Sequence, residues 1–114
     1  MPRLMLVVAL VALPLAAAGC SSKPPVCDAP TETTTVDMQG SSFAPACVTA
    51  TADRTLTLVN ADDTPHTYTV KDTEVDVKIE GFATAQAPLG GIAPGTYAVT
   101  CLYHPQMTAA LQIT

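Results

Sequence analysis

The seven residues from Cys101 to Met107 constrain this chain more than any other stretch, because they carry three metal-binding side chains in a row. A thiol, an imidazole and a thioether follow one another at intervals of three residues in the run Cys101-Leu102-Tyr103-His104-Pro105-Gln106-Met107. β-Branched runs flank the segment on both sides. The pattern predicts a loop between two strands that presents sulfur and nitrogen donors to one soft or borderline metal ion.

One further histidine, His66, completes a known donor set. A cysteine and two histidines in a trigonal arrangement, with methionine as a weak and distant axial ligand, form the copper sites that transfer electrons. The chain has two histidines in all, so the hypothesis has a single candidate for each position: His66, Cys101, His104 and Met107. Each also has a simpler interpretation, namely a core histidine, a buried structural thiol, an ordinary loop histidine and a packing methionine.

Residues 1–19 are predicted to form a signal peptide. Arg3 gives the segment a positive start, and an almost continuous apolar run follows to Ala18. The run has about fifteen residues, fewer than the roughly 20 that a membrane-spanning helix needs. Its end, Ala17-Ala18-Gly19-Cys20, resembles the lipobox of bacterial lipoproteins, although Ala17 stands where leucine is usual. We therefore expect an exported protein with lipid on Cys20, anchored on the extracytoplasmic side (periplasm or cell surface). The alternative is ordinary secretory cleavage nearby.

The four cysteines allow three pairings if all of them form disulfides. If Cys20 carries lipid, three are left, and one of these stays outside a disulfide. Because Cys101 lies among other candidate ligands, Cys27 and Cys47 are the predicted bridge in an oxidising compartment. The alternative is that both remain free thiols. Residues 20–35, rich in hydroxyl side chains and proline, are predicted to be a lipid-anchored flexible tether.

Residues 36–114 are predicted to form one all-β domain. Short runs of β-branched and apolar residues are separated by turn residues, without a helix signal of useful length. Alternation is clear from Arg54 to Asn60 and from Thr96 to Cys101, and it places His66 on the core-facing side of its own strand. Residues 81–89 are ambiguous. Seven to eight such strands predict a sandwich of two sheets.

Two motifs make the chain resemble the cupredoxins, the family of small blue-copper proteins. One is Asn60, five intervening residues and then His66, with Pro65 directly before the histidine. The other is the sequence Pro94-Gly95-Thr96-Tyr97 that leads to Cys101, His104 and Met107. The ligand loop is short, as in amicyanin rather than plastocyanin. The resemblance covers roughly residues 36–114 and implies a Greek-key sandwich that holds one type 1 copper ion through the four candidate ligands.

The sequence departs from the family at two places. Many cupredoxins have an asparagine directly after the first histidine, where it braces the cysteine loop, and this chain has Thr67. A hydroxyl is expected to brace the loop less well. The family also often has a glycine shortly after the methionine, and here the residues are Thr108-Ala109-Ala110.

The donor set and the resemblance together predict single-electron transfer between extracytoplasmic redox partners, such as a cytochrome or a copper oxidase. We expect a monomer that is not an enzyme, since no nucleophile–base arrangement stands out. The net charge of −5 becomes more negative once Arg3 is removed, which argues against nucleic acid as a partner. Asp62 and Asp63 are candidates for steering a basic partner, or simply a solvated acidic loop. The alternative functions are copper(I) delivery or buffering through the same ligands, and a structural zinc site.

Overall fold

The computed structural model describes residues 27–114, and its regular elements are all β-strands. In chain order they are β1 (Thr31–Glu32), β2 (Thr35–Gln39), β3 (Ser42–Ala44), β4 (Cys47–Ala50), β5 (Thr55–Asn60), β6 (His66–Val70), β7 (Asp76–Ile79), β8 (Thr84–Pro88), β9 (Gly95–Cys101) and β10 (His104–Ile113). The predicted signal peptide, Cys20 and the first part of the tether lie outside the described residues. Among residues 27–114, no helix is long and apolar enough to cross a membrane.

The strands form two mixed sheets, which confirms the predicted all-β, two-sheet sandwich. One sheet has the order β1-β4-β10-β9-β6-β7 and the other has the order β3-β2-β5-β8. Three neighbouring pairs are parallel, β1 with β4, β4 with β10, and β2 with β5. A parallel pair cannot be joined by a tight hairpin, so the chain crosses from one sheet to the other between such strands. The described residues contain more strands than the seven to eight predicted, because β1 and β3 are too short to show an alternating pattern.

The core lies between the two sheets, and strand alternation fills it as predicted. On β5, Leu56 and Leu58 are fully buried, whereas Thr57 and Val59 are only partly buried. Each buried leucine contributes about 1.5–3 kcal/mol relative to an exposed one. Tyr68 of β6 belongs to the same cluster. Side chains two residues apart on a strand share one face. Because Tyr68 points into the core, His66 lies on the same inward face of β6.

The pairing of β9 with its neighbours brings the two candidate ligand segments together. β6 and β9 are antiparallel, and Thr69 lies opposite Thr100. β6 therefore begins, at His66, at the same end of the sheet where β9 ends, at Cys101. The turn after Cys101 leads directly into β10, with His104 paired to Cys101.

β10 begins earlier than the sequence indicates. A strand was expected from Ala109 onward, but β10 starts at His104 and contains a register shift between His104 and Thr108. Such a bulge re-aims side chains locally. It also accommodates Pro105, which has no N–H to donate to a ladder. Met107 consequently lies on a strand rather than in a free loop.

A disulfide ties the N-terminal end of the described chain to the sandwich. It joins Cys27 to Cys47, whose Cα atoms are 5.6 Å apart. The short strand β1 follows the bridge and pairs in parallel with β4, with Thr31 opposite Val48. The sheet thus begins within the range that was assigned to the tether, and the domain boundary at Val36 stays a prediction.

Candidate metal centre

Three of the four predicted ligands converge at one end of the sandwich. The Nδ1 atoms of His66 and His104 lie 3.3 Å apart, and the Sγ of Cys101 lies 3.8 Å from the first and 3.6 Å from the second. Within residues 27–114, these three side chains are the one group of His, Cys, Asp and Glu residues whose ligand atoms lie close enough together to hold a metal ion. The corners of a triangle of this size lie about 2 Å from its centre, which is the distance at which nitrogen and sulfur ligands hold a first-row metal ion.

Asp62 fixes the orientation of the His66 ring. Its Oδ2 lies 2.8 Å from Nε2 of His66, and the carboxylate also accepts hydrogen bonds from the backbone N–H groups of Gly40, at 2.8 Å, and Ser41, at 2.9 Å. The bonds from Ser41, His66 and Gly40 lower the pKa of Asp62 to about 2. An ionised carboxylate can only accept, so Nε2 carries the proton and Nδ1 presents a free lone pair to the centre.

The Cys101 thiol is prepared to be a thiolate. Cys101 is 1% exposed, and the N–H of Thr67 donates a hydrogen bond to its sulfur at 3.3 Å. Burial alone raises the pKa of this thiol, but the backbone N–H of Thr67 and the contacts with His104, Tyr103 and His66 outweigh burial and lower the pKa to about 6. The thiolate is the form of cysteine that binds metals. Cys101 is also the free cysteine among the described residues.

Met107, the predicted axial ligand, is buried on β10. It is 2% exposed and belongs to the same apolar cluster as Cys101. Its role as a ligand stays a prediction. His104, three residues earlier, is partly buried. Between the cysteine and this histidine, Leu102 and Tyr103 are 60% and 50% exposed.

The loop that precedes His66 is held by the side chain of Asn60. Its Nδ2 donates to the carbonyl of Thr64 at 2.8 Å and to that of Glu80 at 3.1 Å, and its Oδ1 accepts the N–H of Asp62 at 3.0 Å. Asn60 is 2% exposed, and a buried amide with satisfied hydrogen bonds makes the loop rigid. Gly81 packs so closely on the backbone of Asp63 that no side chain fits there.

The sequence singled out Asp62 and Thr67 but did not reveal the contacts that they make at this site. Asp62 was considered as a steering charge or a solvated loop residue, but it faces inward onto His66 and its side chain is 18% exposed. Its spacing of four residues before the histidine was the one available signal. Thr67 was expected to brace the loop less well than an asparagine, which stays a prediction, and its Oγ1 accepts the N–H of Leu102 at 2.8 Å. That contact joins residues 35 positions apart, so a local pattern cannot reveal it.

The chemistry of the converging donors fits copper. Two imidazole nitrogens and a thiolate are ligands that both Cu(I) and Cu(II) accept. The same three donors also suit zinc, which prefers four ligands in a tetrahedron. The methionine on β10 favours copper, because thioethers are soft donors.

Known proteins resemble this chain in sequence pattern and in fold. A family model described as a cupredoxin-like domain matches residues 4–113. A comparison with curated proteins found no match. Amicyanin from Paracoccus versutus has a similar structure, with a TM-score of 0.59 and 19% sequence identity, covering 82% of this chain and 94% of that one.

Two other solved structures extend the comparison. A purple cupredoxin from Nitrosopumilus maritimus has a TM-score of 0.58 and 14% identity, covering 72% of this chain and 100% of that one. A copper-containing nitrite reductase from Thermus scotoductus has a TM-score of 0.60 and 23% identity, covering 81% of this chain and 25% of that one. The chain thus spans about a quarter of the reductase. Similarity at this level of identity shows a shared fold.

Proposed function

The chain belongs to the cupredoxin-like family, and from this premise we propose that it is a type 1 copper protein that carries single electrons between redox partners outside the cytoplasm. The observation that supports this most directly is the convergence of the two Nδ1 atoms of His66 and His104 and the sulfur of Cys101, 3.3 to 3.8 Å from one another. A bound copper ion would supply a reversible one-electron oxidation at this point.

The residues of the chain have separate tasks in the proposed mechanism. His66, Cys101 and His104 would hold the copper ion, with Met107 as the proposed fourth ligand, and the ion would supply reversible one-electron chemistry. Asp62 keeps the ring of His66 in one orientation, and the N–H of Thr67 compensates the negative charge on the sulfur. Since Asp62 is itself held by the backbone of Gly40 and Ser41, we expect His66 and Cys101 to keep their places in both oxidation states of the ion. A small rearrangement keeps the barrier to electron transfer low.

We propose that the redox partner docks on the end of the sandwich that carries His104. Leu102 and Tyr103 are exposed there, and Phe82 is 76% exposed. The N–H of Phe82 donates to the carbonyl of Asp62, which places its backbone beside the same site. Exposed apolar side chains of this size mark interaction surfaces. The partner would be a redox protein such as a cytochrome or a copper oxidase.

We further propose that the protein is an exported monomer without catalysis of its own, anchored on the extracytoplasmic side of the membrane by lipid on Cys20. The hydroxyl-rich and proline-rich composition of residues 20–35 supports a tether between anchor and domain.

Repeated redox cycling tests this function against copper(I) delivery. The copper-loaded protein is reduced and reoxidised with small inorganic complexes, in the presence of a copper(I) chelator. An electron carrier is expected to retain its copper and to exchange electrons rapidly over many cycles. Loss of copper to the chelator at the first reduction, with sluggish electron exchange, would favour delivery instead.

A further inference from the structure

A chain of hydrogen bonds runs from the ligand loop to the surface of the protein. The N–H of Leu102 donates to Oγ1 of Thr67 at 2.8 Å, and this oxygen lies 3.0 Å from Oγ1 of Thr69. The hydroxyl of Thr69 donates to Oδ1 of Asp76 at 2.9 Å. Thr69 and Asp76 are directly opposite each other on β6 and β7, and Thr67 shares the outward face of β6 with Thr69.

The chemistry of the two ends fixes the direction of every bond in this chain. An ionised Asp76 can only accept, so the proton of Thr69 points to the carboxylate. The oxygen of Thr69 is then free to accept the proton of Thr67. The lone pairs of Thr67 are in turn left for the N–H of Leu102, which can only donate. Each group therefore has the one arrangement that satisfies its neighbour.

The inner part of the chain is shielded from water, whereas its outer end is not. Thr67 is 3% exposed, Thr69 is partly buried and Asp76 is exposed. Hydrogen bonds in a buried network are strong and reinforce one another, and a group left without its partner there is costly. The carboxylate at the surface thus orients a hydroxyl in the interior.

Thr67 connects this chain to the metal centre through two contacts. Its own N–H donates to the sulfur of Cys101 at 3.3 Å, while its hydroxyl holds the next residue of the loop. The side chain of Leu102 is 60% exposed. The bond between Leu102 N–H and Thr67 therefore adds to the pairing of His104 with Cys101 in holding the loop after the thiol.

We propose that Thr69 and Asp76 are positioning residues that, through Thr67, hold the loop between Cys101 and His104 and so set the properties of the copper site. The inference rests on the proposed function for its effect on copper, but the positioning itself does not depend on copper. Asp76 touches none of the candidate ligands, so its influence would be exerted entirely through the chain of hydroxyl groups.

Amide hydrogen exchange of the full chain tests the positioning directly. In the reduced or metal-free protein, Thr69→Val and Asp76→Ala are expected to accelerate exchange of the Leu102 N–H about fivefold, since one hydrogen bond contributes about 1 kcal/mol. Thr69→Ser restores the hydroxyl and should return exchange to the wild-type rate. Glu74→Ala is the matched control, because it removes an exposed carboxylate two residues from Asp76 that takes part in none of these bonds. Unchanged Leu102 exchange in Asp76→Ala and Thr69→Val would overturn the proposal.

The reduction potential of the copper-loaded variants provides a second measurement. We expect Thr69→Val and Asp76→Ala to shift the potential in the same direction, beyond the shift seen in Glu74→Ala, and Thr69→Ser to restore it. Potentials equal to that of the control would overturn the link from the chain to the copper. If the protein binds no copper while Leu102 exchange responds as expected, the proposed function fails and the positioning role of Asp76 and Thr69 is supported.

Discussion

The Nε2 of His66 lies 2.8 Å from Oδ2 of Asp62, and this contact determines which nitrogen of the ring faces the metal centre. The same carboxylate holds both N–H groups of the turn between β2 and β3, at Gly40 and Ser41, whose φ angles are +58° and +54°. Asp62 thus links a turn in one sheet to a ligand in the other. A carboxylate that accepts from a ligating imidazole fixes its orientation and raises its basicity.

Replacing Asp62 should weaken the site without removing a ligand. The Asp62→Asn substitution removes the negative charge. The amide NH₂ of the asparagine can only donate, and it would face one of the three N–H groups that donate to the carboxylate. We expect a loss of about 10- to 100-fold in Cu(II) affinity, measured by competition with a chelator. Asp63→Asn is the matched control, since it removes the neighbouring charge. Equal affinities in the two variants would contradict the role assigned to Asp62.

The depressed pKa of Cys101 predicts how the stability of the metal-free protein depends on pH. The pKa is lowered from 9.0 to about 6 on folding, so the unfolded chain binds more protons between these values and stability rises with pH there. The contribution is complete above about pH 9 and is lost as pH falls through about 6. Urea unfolding of chelator-treated protein, at one pH above this window, one within it and one below it, measures the contribution. Cys101→Ser should lack this component, and an identical pH profile for the two proteins would contradict the assignment.

Gly81 is required because the loop before His66 packs on it. A Cβ at this position would overlap the carbonyl group of Asp63, so Gly81→Ala must displace that loop. We expect a loss of about 1–3 kcal/mol in the free energy of unfolding, together with weaker Cu(II) binding.

The control for this prediction is Gly90→Ala. Gly90 has a φ of +63°, and no atom lies within 4 Å of the position that a Cβ would take there. Its substitution strains the backbone without touching the ligand loop, so stability should fall while copper affinity stays at the wild-type value. If Gly81→Ala retains full affinity, the loop is not positioned by this contact.

The disulfide between Cys27 and Cys47 should stabilise the domain without shaping the metal centre. It spans 20 residues, and a loop of that size corresponds to about 3 kcal/mol on the chain-entropy account. The double variant Cys27→Ser/Cys47→Ser is expected to lower the free energy of unfolding by about this amount and to leave the copper spectrum unchanged. Substitution is preferable to a reductant, which would also reduce the copper. An altered spectrum would show that the bridge supports the site as well.

The sequence predicted the parts of the fold that depend on local alternation. Leu56 and Leu58 occupy alternate positions in the sequence, which identified β5. The spacing of Cys101, His104 and Met107 identified the ligand segment. β1 and β3 were missed because each is too short to show alternation. The early start of β10 was missed because it depends on the bulge after His104.

The supporting contacts of the site could not be predicted in the same way. The bonds from Gly40 and Ser41 to Asp62 join residues 22 and 21 positions apart. The bond from Leu102 to Thr67 joins two segments that become neighbours only in the folded sheet. Residue type alone leaves the direction of such side chains open, and tertiary structure decides it.

The visible absorption spectrum of the Cu(II)-loaded protein tests the central claim most directly. A thiolate bound to Cu(II) in a trigonal site should give an intense blue or violet charge-transfer band. Cys101→Ser should abolish the band, because the sulfur of Cys101 is the proposed donor. A colourless protein after Cu(II) addition, or an intense band that survives in Cys101→Ser, would contradict the account.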